Sequence, residues 1–277
     1  MPSTDHTATD FYDALAPMFD VMTDWRERLA AEGPFLQAML EEASARAVLD
    51  AACGSGGHAL ALAQWGYTAA GADVSPVMVD MARRKAVMGG LDVPFAVTEL
   101  AGLAELVAGR TDDDDALGVV RLAPYDAVLC LGNSLPHLLS QADLLAALRA
   151  MAAVLKPGGL LVLQNLNYDL RWQKQPRWFA AQGGTLDGRE ALVWRFADYD
   201  LLSGRISFHI ALFSKGEAGW QVVVHTTPHR PLFQSDLTAA LAEAGFTALR
   251  SYGGMSLPLD PFDPNASPDL VVVANKG

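Results

Sequence analysis

The sequence predicts an α/β fold in which one doubly wound, seven-stranded sheet carries an antiparallel β insertion. Three observations predict it: apolar runs alternate with helical segments early in the chain, three strand-like segments then follow one another, and a last helix leads into two more strands. Strands that alternate with helices pair in parallel, whereas strands joined by short turns pair antiparallel. We therefore predict a single domain over residues 1–277, with an insertion at 188–231.

Local signals place each element along the chain. A helical pattern covers roughly 8–42, and residues 1–42 are expected to form an N-terminal helical lid. The apolar run 126–131 predicts a strand that is buried on both faces. The predicted strands of the main sheet are Ala47–Ala51, Thr68–Asp73, Val93–Val97, Asp126–Leu131, Leu160–Gln164, Thr247–Tyr252 and Leu270–Ala274. The predicted helices between them are His58–Gln64, Pro76–Met88, Gln141–Leu155 and Ser235–Ala244, and the insertion strands are Ala191–Tyr199, Arg205–Ser214 and Trp220–Thr226.

Composition limits the functions that the chain can have. Of its 277 residues, 51% are hydrophobic and 19% are charged, as in a globular protein rather than a disordered one. The net charge of −12 opposes binding to the phosphates of nucleic acids and to anionic membranes, so neither is expected as a partner. Two cysteines in apolar surroundings and the lack of a visible secretory signal favour a cytoplasmic location. The sequence leaves the oligomeric state open, a homo-oligomer included.

A glycine-rich turn follows the first predicted strand and indicates a ligand. Gly54 and Gly56 let the backbone turn tightly and approach a ligand, and the next helix presents free N–H groups. Asp73 ends the second strand, where its carboxylate can accept hydrogen bonds from both hydroxyl groups of a ribose. This pattern is typical of an adenosine-containing cofactor at the carboxyl edge of an open sheet.

Two cofactors fit this pattern, and Asp50 favours one of them. Gly54, Gly56 and Ala59 satisfy the dinucleotide pattern G-x-G-x-x-G/A. However, a carboxylate at Asp50, four residues before the first glycine, would repel a pyrophosphate. The same carboxylate suits the amino and sulfonium charges of S-adenosylmethionine, which is therefore the expected cofactor.

Several segments resemble the class I methyltransferases, which bind this cofactor on a Rossmann-like sheet. V-L-D-A-A-C-G-S-G at 48–56 looks like their first motif and A-D-V-S-P-V-M-V-D-M-A-R at 72–83 like their second, and the likeness extends over nearly the whole chain. L-K-P-G-G-L-L-V at 155–162 and A-L-A-E-A-G-F at 240–246 also resemble the family. The resemblance implies that Asp73 holds the ribose and that Val74 flanks the adenine. It also implies that the methionine part of the cofactor is bound by Asp50, Ala52, Gly54 and Gly56.

The loop after the fourth strand bears on the methyl acceptor. C-L-G-N-S-L-P-H-L at 130–138 is similar to the corresponding loop of glycine N-methyltransferases and of amino-sugar N,N-dimethyltransferases. The resemblance implies that Leu131 contacts the cofactor through its backbone, and that Asn133, Ser134 and His137 face the reacting centre. Because an amine must be neutral to attack and histidine titrates near neutrality, His137 can position or deprotonate the acceptor.

Further positions extend the predicted cofactor site. The glycine N-methyltransferases bind the cofactor carboxylate with an arginine, and Arg28 stands at that spacing, with Arg26 as the alternative. Aromatic residues of the N-terminal segment either close over the cofactor, as in that family, or pack a helix on the core. The aromatic series is Phe11, Tyr12, Phe19 and Trp25, of which Tyr12 and Trp25 are assigned to the site, and Glu99 and Leu100 follow the third strand where the family contacts adenine.

One departure from the glycine enzymes concerns the acceptor. Those enzymes carry, at the position of Leu166, an arginine that binds the amino-acid carboxylate. Leu166 cannot bind a carboxylate, which weighs against glycine as substrate, and Arg171 could compensate only if the loop turns back. In the amino-sugar enzymes a similar insertion roofs the active site, so the resemblance implies the same role here, with His229 and Arg230 bracing its hairpin. No metal is expected, because His209, His225 and His229 lack the spacing of metal ligands.

The resulting prediction is methyl transfer from S-adenosylmethionine to the nitrogen of a small-molecule amine. An O-methyltransferase for a small carboxylate or hydroxyl is the nearest alternative, because its fold would be the same. A nicotinamide-dependent oxidoreductase is a second alternative, and it rests on the dinucleotide-like glycine pattern. A non-catalytic protein that senses the cofactor is a third.

Overall fold

The structure is a computed structural model that describes residues 8–109, 116–186 and 188–277. In this part of the chain the strands form two sheets, and no helix is both long and apolar enough to cross a membrane. The larger sheet contains β1 (Ala47–Asp50), β2 (Thr68–Asp73), β3 (Phe95–Val97), β4 (Tyr125–Cys130), β5 (Leu155–Leu166), β10 (Phe246–Tyr252) and β11 (Asp269–Lys276), and the smaller contains β6 (Gln182–Leu186), β7 (Arg189–Asp200), β8 (Arg205–Gly216) and β9 (Gly219–His229). The helices are α1 (Ala8–Met22), α2 (Trp25–Glu42), α3 (Gly57–Gln64), α4 (Pro76–Gly89), α5 (Leu103–Val107), α6 (Ala116–Leu122), α7 (Gln141–Val154), α8 (Tyr168–Lys174) and α9 (Gln234–Glu243).

The larger sheet has the strand order β10-β11-β5-β4-β1-β2-β3. β1 is parallel to β2 and to β4, β2 to β3, and β4 to β5, whereas β11 is antiparallel to β5 and to β10. The prediction of a doubly wound, seven-stranded sheet is therefore confirmed. Because β2 and β4 lie on opposite sides of β1, a crevice for a ligand opens at the carboxyl ends of these strands.

Helices cover both faces of the larger sheet, because side chains along its strands point to alternate sides. Val48 and Leu129 join a buried cluster with α2, α3 and α4 on one face. Leu49 and Val128 join a second cluster with α5, α7 and α9 on the other. The strand ends that carry the crevice are thus held by core packing on both sides.

The N-terminal segment differs from the single helical stretch that its pattern predicts. It forms two helices, α1 and α2, because the chain breaks at Asp24, whose carboxylate accepts a hydrogen bond from the N–H of Glu27 at 3.0 Å and caps α2. Phe11 and Leu15 of α1 pack against Val193 and other apolar residues of the smaller sheet. Residues 1–7 of the predicted lid lie outside the described residues.

The antiparallel insertion has four strands where the sequence predicts three. The additional strand, β6, pairs with β7 and begins before the predicted start of the insertion at 188. Its sequence, Q-G-G-T-L, contains two adjacent glycines and lacks the apolar alternation by which a strand is recognised. Helix α8 was also missed, and β5 extends beyond both predicted ends, to Leu155 and Leu166.

Candidate active site

A cavity of about 350 Å³ opens at the carboxyl ends of the parallel strands. The loops after β1, β2, β3 and β4 line it, together with α1 and the first turn of α2. Its volume lies in the range of small-molecule binding sites. Ten of the predicted cofactor residues line it, namely Tyr12, Trp25, Arg28, Ala52, Gly54, Asp73, Val74, Glu99, Leu100 and Leu131. Of the predicted catalytic residues, Ser134 and His137 line it.

Hydrogen bonds fasten α1 beside the glycine loop. Asp13 accepts a hydrogen bond from the hydroxyl of Ser75, and Asp20 accepts from three side chains. Burial would raise the pKa of Asp20, but these donors hold it below the usual value. Tyr12 and Phe19, which line the cavity, are therefore held in place by their neighbours Asp13 and Asp20, which make these hydrogen bonds. The donors to Asp20 are the Ser55 hydroxyl at 2.8 Å, the Trp25 indole N–H at 2.9 Å and the Lys85 ammonium at 2.9 Å.

Asp73 stands at the end of β2 with its carboxylate turned to the glycine loop. Its Oδ2 accepts a hydrogen bond from the N–H of Gly54 at 2.8 Å, and its Oδ1 accepts from the N–H of Ser75 at 2.9 Å. Each oxygen keeps a lone pair that can accept from a ribose hydroxyl. Gly54 has φ 51°, the left-handed region that glycine adopts readily, which lets this N–H reach the carboxylate.

Two predicted residues of the methionine part do not line the cavity. Asp50 is 1% exposed and neither of its carboxylate oxygens has a hydrogen-bond partner among the described residues, so it lies behind the cavity wall. Burial raises its pKa to about 6, with the charges of His58 and Arg28 opposing the rise. Gly56 serves packing instead: a Cβ on it would stand 2.7 Å from the Cβ of Ala82, so glycine lets α4 approach the loop.

The methionine end of the cavity, where the methionine part of the cofactor is expected to lie, is lined by Trp25, Arg28 and His58. The Arg28 guanidinium lies over the indole of Trp25, 5.4 Å from the ring centroid. Its Nη2 is 3.9 Å from the point where a Cβ on Gly132 would stand, next to the loop after β4. Of the two arginines that the sequence offers, Arg28 lines the cavity. The sequence reasoning missed His58, because a single histidine at a helix start carries no local signal of a ligand.

Another part of the cavity collects the residues expected around adenine. Val74 follows β2, and Glu99 and Leu100 follow β3, as the sequence predicts. Asp143 and Ala146 of α7 also line the cavity, and the sequence did not predict them. Helix α7 reads as an ordinary amphipathic helix, so only its position over the sheet brings these side chains to the site.

His137 marks the side where the reacting centre is expected. Its Nε2 lies 3.0 Å from the Tyr12 hydroxyl, and its Nδ1 lies 3.3 Å from the hydroxyl oxygen of Thr227 on β9. The ring of His229 meets it edge-on, with 4.5 Å between centroids. Burial lowers the pKa of His137 to about 4, so the imidazole is neutral at physiological pH. The smaller sheet thus supplies part of the environment of His137.

Asn133 does not face the cavity, contrary to the prediction. Its Oδ1 accepts a hydrogen bond from the N–H of Leu166 at 3.0 Å, and its Nδ2 donates to the hydroxyl of Tyr168 at 3.0 Å. It has φ 67°, which asparagine tolerates better than most residues. Asn133 therefore ties the loop after β4 to the end of β5. Ser134 lines the cavity, but its hydroxyl donates to the carbonyl of Leu131 at 3.0 Å.

The histidines of the insertion have separate environments. His229, the last residue of β9, stacks on Phe208 with 5.1 Å between centroids and also packs against His137. His209 lies 2.8 Å from the hydroxyl of Thr226 and stacks on Phe196. Within the described residues, no group of three or more His, Cys, Asp or Glu is arranged to hold a metal ion.

Comparison with known proteins places this chain in a family. The family model for a methyltransferase domain matches residues 18–251. This chain belongs to the class I S-adenosylmethionine-dependent methyltransferases. The predicted enzyme class and cofactor are confirmed, and the nicotinamide-dependent alternative is wrong.

Relatives and solved structures agree with this assignment. The glycine/sarcosine N-methyltransferase of Parasynechococcus marenigrum is 30% identical over 251 residues, which are 90% of this chain and 80% of the relative. The glycine N-methyltransferase of Rattus norvegicus is 33% identical over 152 residues, but the match spans about half of each chain, 53% and 49%. A methyltransferase structure from Clostridium acetobutylicum has a TM-score of 0.73 at 16% identity, covering 96% of this chain and 99% of that one. A sugar N-methyltransferase from a Streptoalloteichus species has a TM-score of 0.67 at 22% identity, covering 100% and 96%.

The methyltransferase's cavity has the groups that S-adenosylmethionine requires. Asp73 keeps acceptors for the ribose hydroxyls, and Arg28 offers a cation for the methionine carboxylate. Arg28 is the one Lys or Arg that lines the described part of the cavity, whereas Asp73, Glu99 and Asp143 bring carboxylates. This excess of negative charge suits a cofactor whose sulfonium is positive.

Proposed function

We propose that this methyltransferase acts on the nitrogen of a small-molecule amine. The observation that carries the proposal is the neutral, buried imidazole of His137 at the acceptor side of the cavity. S-adenosylmethionine supplies an electrophilic methyl group, so the chain's own task is to orient the acceptor and exclude water. The Tyr12 hydroxyl can donate to Nε2 of the neutral imidazole and accept an N–H of the amine, which orients the amine and leaves its lone pair free for attack.

The low pKa of His137 favours an amine over a hydroxyl acceptor. A hydroxyl must lose its proton as it is methylated, and an imidazole with a pKa of about 4 is a weak base for that purpose. A neutral amine needs no base before it attacks. The transfer then moves one positive charge from sulfur to nitrogen, and His137 keeps one protonation state throughout.

The distribution of cations weighs against a carboxylate acceptor. Arg28, the one Lys or Arg lining the described cavity, lies at the methionine end. Leu166 packs with Tyr168 and Trp172 in an apolar cluster, and the guanidinium of Arg171 lies over the ring of Phe179, 5.1 Å from its centroid. Neither therefore replaces the carboxylate-binding arginine of the glycine enzymes. The names of the relatives, which include glycine/sarcosine and sugar N-methyltransferases, support an amine acceptor more generally.

A screen with methyl-labelled S-adenosylmethionine tests the proposal. The purified protein is incubated with panels of primary and secondary amines, including amino sugars, and with matched carboxylates and alcohols. Label on nitrogen, located by mass spectrometry and NMR, is expected. Label found only on oxygen would contradict the proposal.

The pH dependence of His137→Gln then sharpens the test on the acceptor that the screen finds. We expect kcat to fall about 10- to 100-fold while the KM for S-adenosylmethionine stays the same, because glutamine orients the amine poorly. In both proteins the rate should rise with pH as the acceptor ammonium loses its proton. His209→Gln is the matched control, since His209 does not line the cavity. A kcat that is equally low at every pH would favour a hydroxyl acceptor instead.

A further inference from the structure

Behind Arg28, the side chain of Glu32 joins two residues of the methionine end. Arg28 and Glu32 lie one turn apart on α2, and Arg28 Nε donates to Glu32 Oε1 at 3.0 Å. His58 Nε2, from the first turn of α3, lies 2.7 Å from Glu32 Oε2. Each oxygen of one carboxylate is thus committed to a different cavity residue. The side chain of His58 is 5% exposed and that of Glu32 is 17% exposed, so this bridge is largely shielded from solvent.

The indole of Trp25 packs against both partners of Glu32. It meets the His58 ring edge-on at 5.2 Å, and the Arg28 guanidinium covers its face. This close approach depends on Gly57, because a Cβ there would overlap the indole. The network is therefore enclosed by α2, α3 and the glycine loop.

Glu32 is ionised in this environment. Burial would raise its pKa, but the hydrogen bond from His58 and the charge of Arg28 outweigh burial and hold the pKa below its usual value. A carboxylate beside a guanidinium forms a strong, charge-assisted hydrogen bond. By taking the Nε of Arg28, Glu32 leaves the terminal amino groups of the guanidinium available on the side of the cavity and of Gly132.

We propose that Glu32, together with His58, is a positioning residue of the cofactor site, which holds Arg28 in the orientation that binds the methionine carboxylate. An arginine side chain has many rotamers, and fixing it before binding lowers the entropy lost when the ligand arrives. The alternative is an ordinary ion pair between residues one turn apart, which stabilises a helix slightly and affects no ligand. The two readings predict different binding data.

A double-mutant cycle on cofactor binding distinguishes them. The dissociation constant of S-adenosylhomocysteine, the demethylated product, is measured by calorimetry for wild type, Glu32→Gln, Arg28→Ala and the double variant. We expect Glu32→Gln to weaken binding about tenfold or more in the wild-type background, and to add little when Arg28 is already absent. An equal loss in both backgrounds, or no loss at all, would overturn the proposal.

A second ligand separates positioning from general damage to the fold. 5′-Methylthioadenosine shares the adenosine and the sulfur but lacks the amino-acid group, so its affinity should be unchanged by Glu32→Gln. Parallel losses for both ligands would refute a role through the carboxylate. Asp80→Asn breaks an exposed ion pair of the same spacing, with Arg84, and should change neither affinity. His58→Gln provides the same comparison if Glu32→Gln does not fold. None of these measurements requires the acceptor, so their outcome is independent of the proposed N-methylation.

Discussion

The methionine end of the cavity and the acceptor end around His137 differ in the charge of the side chains that form them. At the methionine end, Arg28 and Glu32 form part of an ion-paired network beside the buried carboxylate of Asp50. At the acceptor end, His137 is neutral and lies near the hydroxyl of Tyr12, which burial keeps protonated by raising its pKa. One end is built from fixed charges and the other from neutral polar groups.

Under the proposed function, this contrast corresponds to what each end would bind. The amino-acid group of the cofactor keeps its ammonium and carboxylate charges throughout the reaction, so fixed counter-ions can hold it. If the acceptor is an amine as proposed, the positive charge moves from the sulfur to the nitrogen at the acceptor end, and a neutral environment suits both the start and the end of that step. Changes at the methionine end should therefore alter cofactor affinity, and changes at the acceptor end should alter turnover.

The largest expected effect is that of Gly57→Ala at the methionine end. A Cβ there displaces the Trp25 indole from its place between His58 and Arg28. We expect the dissociation constant of S-adenosylhomocysteine to rise about tenfold or more, with kcat at saturating cofactor changed by less than about twofold. Calorimetry and steady-state kinetics measure the two quantities. Gly183→Ala is the control, because no atom lies within 4 Å of a Cβ at that position. A fall in kcat with unchanged affinity would break the comparison.

A smaller effect, which depends on pH, is expected for Asp50. In the empty site its pKa is about 6, and the titratable or charged groups that face it are His58, Arg28 and Asp73. Because the ammonium of the cofactor favours the ionised carboxylate, binding must expel a proton below pH 6, and affinity should fall up to about tenfold per pH unit there. Asp50→Asn should bind more weakly at pH 8 and lose this pH dependence. A wild-type affinity that is constant from pH 8 to pH 5 would contradict the assignment of Asp50 to the methionine end.

The same raised pKa has the opposite consequence for the empty protein. The folded state keeps the proton of Asp50 up to about pH 6, whereas the unfolded chain releases it at about pH 4, so stability is lost as the pH rises through this window. Asp50→Asn should therefore raise the melting temperature at pH 8 without cofactor, and change it less at pH 4. A lower melting temperature at pH 8 would show that the charge of Asp50 is compensated in the fold.

The smallest expected effect is that of Tyr12→Phe at the acceptor end. The variant keeps the ring on α1 but removes the hydroxyl that lies 3.0 Å from Nε2 of His137. Loss of one neutral hydrogen bond should lower kcat about two- to tenfold, while the affinity for S-adenosylhomocysteine stays within about twofold. Tyr199→Phe, which removes a hydroxyl from the smaller sheet outside the cavity, serves as control. A loss of affinity without a loss of kcat would place the Tyr12 hydroxyl at the cofactor instead.

Local patterns predicted the sheet and the parts of the site that lie directly after its strands. Apolar runs between glycines located the parallel strands, and the spacing from Gly54 to Asp73 predicted a ribose site at two residues that the structure joins by a hydrogen bond. Sequence reasoning failed for Asn133, because the hydrogen bonds that turn its amide away from the cavity come from Leu166 and Tyr168, more than thirty residues later. It also missed β6, whose two glycines carry no apolar alternation.

The sequence by itself determined the α/β architecture, the glycine loop and the identity of the cofactor, because each depends on residues that are neighbours in the chain or on the order of strands and helices. Only the tertiary structure decided the character of the two ends of the cavity. His137 contacts Tyr12, which is 125 residues away in the sequence, and Thr227, which is 90 residues away. Glu32 contacts His58, which is 26 residues away. Burial and partners that come from distant elements set the pKa values of His137, Tyr12 and Glu32, and no local pattern encodes them.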